Sequence, residues 1–377
     1  MYSLAVGKVK TYETAFSSFI HPFQKVLPIE YTLEVHNDLV NSFSINVDRK
    51  HDIVSDKTDL EAEIFLKAVI LRNTYRDKIT HQLGFIEAIE QLYDISDSVP
   101  TPYNRFKIIL AEFERIKEHF IWFYELFYNS GIIFYNQILP LKKKIDAIFT
   151  KDFKIIKDNL NNCLGIGQLF INWTEEQNYS LLVKLYELME DFSFIKEEIL
   201  ASIKLRNYLF SVGSMDNGVA LKTGTVGPIA RASALDQDLR IDDPYWDYLS
   251  FGDFKIAQSY DQDLYGLVKV LLTEIGVSFD LIHSIIKKDY TLEPVNLLSE
   301  IDQNQKGQMT VRLESSKGPS LYSIECKENM IVTGFGLATS GMTNLHSLET
   351  RLRNAPVNFI SRIIHAYNIT ELSFIKS

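Results

Sequence analysis

Two spacings of apolar residues divide the chain. Over residues 28–54 apolar and polar positions alternate (IEYTLEVHNDLVNSFSINV), the pattern of strands with one buried face, and Asn37-Asp38 suits a turn between two of them. From Asp56 the spacing lengthens. Leu60, Ile64, Leu66, Val69 and Ile70 recur at helical intervals, and Asp56 and Asp59 are suited to cap that helix. Thr101-Pro102 reads as a cap followed by proline at the first helical position. The stripe Phe106, Ile109, Leu110, Phe113, Ile116, Phe120 and Phe123 continues the helix to a stop at Gly131. Further helices are predicted over 141–164, 174–207 and 253–288. Past Asn304 the alternation returns (MTVRLESS, LYSIEC, MIVTGFGLA), and an amphipathic helix is predicted over 345–365. The pattern therefore predicts an N-terminal β-layer over 1–55, a helical bundle over 56–300 and a C-terminal α+β segment over 301–377. The fold class is α+β and mainly helical.

Composition narrows the function. The chain has 377 residues, of which 46% are hydrophobic and 12% aromatic, enough for a large core. A net charge of −10 argues against nucleic acid as a partner, since such footprints are basic. The most apolar run, 119–141, is interrupted by Glu125, Asn129, Ser130, Asn136 and Gln137. It reads as two buried helices broken near residues 129–131, not as a membrane span. Residues 1–16 carry Lys8, Lys10 and Glu13 and lack the apolar core of a signal peptide. Cys163 and Cys326 stand far apart without CxxC spacing; they fit a reducing compartment and cannot alone build a zinc or iron–sulfur site. No GxSxG, HExxH, Walker or GxGxxG motif is present, which removes the common hydrolase and dinucleotide-enzyme readings.

The densest chemistry lies in residues 224–248, GTVGPIARASALDQDLRIDDPYWDY. Gly224, Gly227 and Pro228 set special backbone angles, and Ala230, Ala232, Ser233 and Ala234 permit close packing. Arg231, Asp236, Asp238, Arg240, Asp242 and Asp243 follow, a density an apolar core tolerates only when the charges are paired. Either this loop lines a buried polar site or it is a solvated charged loop.

These residues resemble the hallmark loop of one family: the large subunit of group 4 (energy-converting) nickel–iron hydrogenases and the related D-type, quinone-docking subunit of respiratory complex I, an NADH-quinone oxidoreductase. The resemblance follows the same order over most of the chain and implies the large-subunit hydrogenase fold. Residues 65–92 resemble the first metal-binding helix, which in active hydrogenases reads RxCGxC with a histidine four residues on. Here Arg72-Asn73-Thr74-Tyr75-Arg76-Asp77 stands in that place, with His81 at the histidine. The C-terminal CxxC falls on Thr370-Glu371-Leu372-Ser373. Thr74, Asp77, Thr370 and Ser373 thus occupy the four thiolate positions, and such hard donors are poor ligands for a nickel–iron pair. The resemblance implies no metal centre, no hydrogen activation and no cofactor bound by this chain. Asp77 and His81 alone are too few for a metal site and read instead as an ordinary helix-face ion pair.

In complex I the same helix reads RMDY, and its tyrosine hydrogen-bonds a quinone. Tyr75 matches it, so the resemblance implies a quinone or similar acceptor beside Tyr75, with His81 as a second candidate for proton chemistry. The other half of that quinone clamp is missing: Thr14 stands at the ligand histidine and Asn129 at its aspartate. His51, in RKHDI, matches a family histidine, and Glu314 and Gly318, in LESSKGPSLY, match the EAPRGE loop. Arg231, Asp236, Asp238 and Arg240 support the site. The implied partners are an iron–sulfur small subunit, which carries the clusters, and membrane-embedded antiporter-like subunits. The implied location is cytoplasmic, peripheral on the inner face of the membrane. Two functions stay open: an acceptor-binding redox subunit, or a catalytically silent scaffold that couples or assembles such a complex.

Overall fold

In the computed structural model, which describes residues 10–12, 29–47, 59–67, 76–251, 254–287, 290–369 and 374–376, the first layer is an antiparallel sheet. It comprises β1 (Lys10–Tyr12), β2 (Ile29–His36) and β3 (Leu39–Val47). Asn37 and Asp38 adopt left-handed backbone (φ 49° and 61°), as a tight hairpin between right-twisting strands requires. Val40 bonds the backbone of Asn354 and Ala355, which ties this sheet to the C-terminal helices.

The helix expected from Asp56 is corrected at its start. Asp59 is left-handed (φ 63°) and Leu60–Glu61 form strand β4 on the edge of a later sheet; helix α1 (Ala62–Phe65) begins only after them. Pairing with an open strand edge outweighs local helical spacing at these positions. Nor is 65–92 one helix throughout. Helix α2 (Lys78–Leu92) starts after Asp77, whose φ of 49° turns the chain sharply.

Helix α3 (Thr101–Ser130) holds Pro102 in its first turn and ends at left-handed Gly131 (φ 67°), with Thr101 as its first residue and Pro100 at the cap position. Every residue of the expected apolar stripe is buried. Helix α4 (Tyr135–Ala147) returns along α3 after the break at Gly131. It stops well short of residue 164. A wide turn (Ile148–Asp152) leads into irregular chain because Phe149, Phe153, Ile155 and Leu160 turn inward, and the short strands β5 (Leu164–Gly165) and β6 (Gln168–Leu169) follow.

Helix α5 (Glu175–Ala201) opens with a reciprocal capping box between Thr174 and Gln177; Ser202 ends it and caps α6 (Ile203–Leu209). Short helices α7 (Asn217–Lys222), α8 (Gly227–Ala232) and α9 (Leu239–Asp242) carry the charged loop. Helix α10 (Leu264–Ile286) begins later than the spacing suggested, because the side chain of Asp263 caps it at Gly266 N. It packs along α3. Strand β7 (Val295–Asn296) completes the small sheet with β5 and β6.

The C-terminal sheet has the order β11-β10-β9-β8, from β8 (Gly307–Ser315), β9 (Gly318–Lys327), β10 (Ile331–Ala338) and β11 (Phe374–Lys376), with β4 also paired to β10. Helix α2 lies across β8 and β9. Between β10 and β11 come α11 (Ser340–Thr343), α12 (Leu345–Leu352) and α13 (Ile360–Tyr367). The single helix expected over 345–365 is two, because left-handed Asn354 (φ 61°) breaks it and Pro356 bridges to Leu39. Among the described residues no helix is long and apolar enough to cross a membrane.

Candidate functional site

The charged loop reaches the interior because α8 comes close to the β8–β9 hairpin. Gly227 is left-handed (φ 70°), and a Cβ there would sit 2.1 Å from the Lys317 carbonyl oxygen; only glycine allows the approach. Arg231 follows within α8 and is fully buried. Its Nε donates to Glu274 at 2.8 Å, its NH1 donates to Glu314 at 2.9 Å, and Asp238 lies 3.4 Å away. Arg240 donates to Asp238 at 2.6 Å and to Glu112 at 3.1 Å. Arg115 donates to Glu112 at 3.2 Å and to the carbonyls of Glu314 and Ser315, both at 2.7 Å. Tyr248 and Ser278 also donate to Glu112, at 2.7 and 2.5 Å.

This array is interlocked and buried, as one reading of the loop expected, but only Arg231, Asp238 and Arg240 take part from among the loop's charges. Asp236, Asp242 and Asp243 are exposed, and Asp243 meets exposed Arg312 at 2.5 Å. The partners Glu112, Arg115, Glu274 and His119 come from α3 and α10. Burial opposes ionisation of Glu274, yet Arg231 and His119 hold its carboxyl down at about 2. Burial and the neighbouring Asp238 push Glu314 up to about 7 against the pull of Arg231.

Beside the array lies a cleft in two connected parts. The smaller is lined by Asp77, His81, Lys317, Ser320, Ser340 and Asn368. The larger shares Lys317, Ser340 and Asn368 and adds His119, Trp122 and Ile229. Asp77 Oδ1 accepts from the Ser316 amide at 3.2 Å, and Oδ2 lies 3.7 Å from Lys317 Nζ. Burial alone would raise the Asp77 carboxyl; Lys317 and His81, with the Ser316 hydrogen bond, hold it below its ordinary range. His81 Nδ1 is 2.9 Å from the Tyr322 hydroxyl.

Three carboxylates of α3 fix the chain where it enters this cleft. Glu114 accepts from the amides of Ile79 and Thr80 at 2.8 and 2.6 Å, so it caps α2 from another helix, while burial and the nearby Asp77 and Glu118 push its carboxyl well above the ordinary range. Glu118 and Glu125 bind Arg76 at 3.0 and 2.5 Å.

Thr74, Tyr75, His51, Thr370 and Ser373 lie outside the described residues. Asp77 and Asn368 line one cleft, which brings the chain just after Tyr75 and the chain just before Thr370 to a common place. Asp77 is not one face of a helix with His81; it stands before α2. Asn129 is exposed on the last turn of α3 and does not reach the cleft. Lys317, His119, Trp122 and Glu118 escaped the sequence reading. Cys163 and Cys326 are buried away from the cleft, and burial pushes their thiols up to about 12 and about 11. Among the described residues, no three His, Cys, Asp or Glu side chains group as a metal site.

The fold defines the class, a mainly helical α+β chain shared with a subunit of a solved respiratory membrane complex. The structure aligns with a chain of the membrane-bound sulfane sulfur reductase, an archaeal respiratory membrane complex, with a TM-score of 0.80 over 96% of both chains at 15% identity. Residues 181–297 match the family described as respiratory-chain NADH dehydrogenase, 49 Kd subunit. The D-type subunit of the NADH-quinone oxidoreductase of Clostridium beijerinckii is 27% identical over 67% of this chain and 67% of its own length. The D-type subunit of the F(420)H(2) dehydrogenase of Methanosarcina mazei is 23% identical over 71% of this chain and 70% of its own. The matches therefore span about two thirds of these relatives. The chain is a relative of these D-type subunits, the family its sequence resembles.

Proposed function

We propose that this chain is the peripheral subunit at which a membrane-bound oxidoreductase complex delivers electrons to a quinone or similar small acceptor. The observation that carries the proposal is the cleft between α2, α3 and the β8–β9 hairpin, lined by groups that hydrogen-bond or exchange protons. Its donors are a carboxylate, imidazoles, an ammonium and hydroxyls. That set does not fit a nickel–iron pair, which requires thiolates, so hydrogen activation is not part of the reading.

Tyr75, two residues before Asp77, hydrogen-bonds the acceptor's carbonyl; Lys317 adds positive charge where reduction builds negative charge. Electrons come from iron–sulfur clusters of a neighbouring small subunit, and antiporter-like membrane subunits convert the reaction into ion transport. The chain sits on the cytoplasmic face of the membrane through these partners. The test is acceptor reduction by the purified intact complex carrying Tyr75→Phe. Loss of one hydrogen bond, about 1 kcal/mol, predicts a rate reduced roughly 5- to 10-fold; an unchanged rate removes the role.

The scaffold reading draws on the Asp77–Lys317 contact, a charge pair at the residue that the resemblance aligns with one of the hydrogenase thiolates. It prevails if the intact complex reduces no acceptor while deletion of this chain still abolishes ion transport.

A further inference from the structure

The sequence lacks the family's histidine–aspartate pair, yet the structure holds a histidine–carboxylate pair built from other elements. His119, midway along α3 and 3% exposed, lines the larger part of the cleft. Its Nε2 lies 2.8 Å from Glu274 Oε2 on α10, and the other oxygen of Glu274 accepts from Arg231. With Nε2–H committed to the carboxylate, the second ring nitrogen, Nδ1, bonds no described residue. One turn away on the helical ladder, Trp122 lines the same cleft, and its buried indole N–H also has no hydrogen-bond partner among the described residues. A buried donor left unsatisfied is costly unless something fills the space beside it. An acceptor carbonyl is chemistry that suits both groups.

We propose that His119, held by Glu274, is a proton donor to a quinone bound in the larger part of the cleft. The proposal rests on reading the cleft as an acceptor site. Reduction adds two electrons and two protons to the quinone. The electrons arrive one at a time from an iron–sulfur cluster of a neighbouring subunit. The His119 imidazolium gives its Nδ1 proton to one carbonyl oxygen and becomes neutral imidazole, still hydrogen-bonded through Nε2 to Glu274; the other oxygen takes its proton from solvent, which later recharges the ring. Glu274 favours the imidazolium. Arg231 behind Glu274 and Lys317 across the cleft oppose it, while Glu118, beside His119 in sequence, is engaged with Arg76.

The experiment measures decylubiquinone reduction by the intact complex, with its own electron donor, across pH. Wild type is expected to lose rate on the alkaline side as the imidazolium is titrated. His119→Gln should lower kcat about 100-fold with KM within about twofold, and the alkaline limb should vanish. Glu274→Gln leaves Arg231 with Glu314 and Asp238 and should move the limb to lower pH, because the imidazolium loses its counter-charge. A packing role alone leaves the alkaline limb in place in both variants. His119→Gln with wild-type kcat and profile overturns the proposal. If that variant fails to assemble, a limb unmoved by Glu274→Gln overturns it instead. A wild-type complex inert toward decylubiquinone overturns the quinone reading itself, a result visible before any variant is made.

Discussion

Arg231 is fully buried and meets three carboxylates, yet it is one of three guanidiniums in its array, with Arg115 and Arg240, facing Glu112, Asp238, Glu274 and Glu314. Three positive charges against four negative leave one in excess, and a single proton on Glu314 neutralises it. Glu314 binds protons more tightly folded than unfolded, its carboxyl being pushed up to about 7 from an ordinary 4.5. Below about 4.5 it is protonated in both states; between 4.5 and about 7 only the folded protein keeps the proton. Stability therefore falls as pH rises through that window, by up to about 3 kcal/mol from this group. Urea midpoints measured from pH 5 to 8 should fall for wild type and fall distinctly less for Glu314→Gln; equal slopes would refute the assignment. In the sequence, Arg231, Asp238 and Arg240 announced themselves by crowding. Glu112, Arg115 and His119 did not, because they share α3 with a run of phenylalanines and isoleucines that reads as plain core. The legible signal was a helix buried all round yet carrying charges on every turn, which demands partners elsewhere.

At the scale of elements, alternation and stripe spacing revealed the β2–β3 hairpin, α3, α5 and the β8–β10 strands, since each buries one regular face. Elements were misplaced where distant chain decides. Leu60–Glu61 joined a strand edge, and the helix expected over 141–164 ended with α4 at Ala147, giving way to inward-turning aromatics. The seating of α2 on the sheet is another such case, set by a single glycine. A Cβ on Gly84 would lie 2.5 Å from the Tyr322 ring, whose hydroxyl meets His81 in the cleft. Gly84→Ala gains helix propensity but must displace that ring. We expect a net loss of about 1–3 kcal/mol, read as a lower melting temperature, together with slower acceptor reduction. A variant as stable and as active as wild type would show that the helix–sheet contact is slack.

For the whole molecule, the convergence of remote segments is what no local pattern displays. The chain after Tyr75 and the chain before Thr370 are almost three hundred residues apart in sequence, yet Asp77 and Asn368 line one cleft beside the β8–β9 hairpin. Family resemblance made that meeting an expectation, because the same two segments jointly supplied the thiolates of the related hydrogenases. It could not reveal that α3 brings His119 and Trp122 to the opposite wall, since neither belongs to the motifs that carry the resemblance. The central claim is that this cleft receives a small electron acceptor in place of a bimetallic centre. The most direct test is an experimental structure of the intact complex incubated with decylubiquinone. The expected result is a quinone ring in the cleft, within hydrogen-bond reach of His119 or Tyr75; a metal pair in that space, or a quinone bound elsewhere while the cleft stays closed by protein, would contradict it.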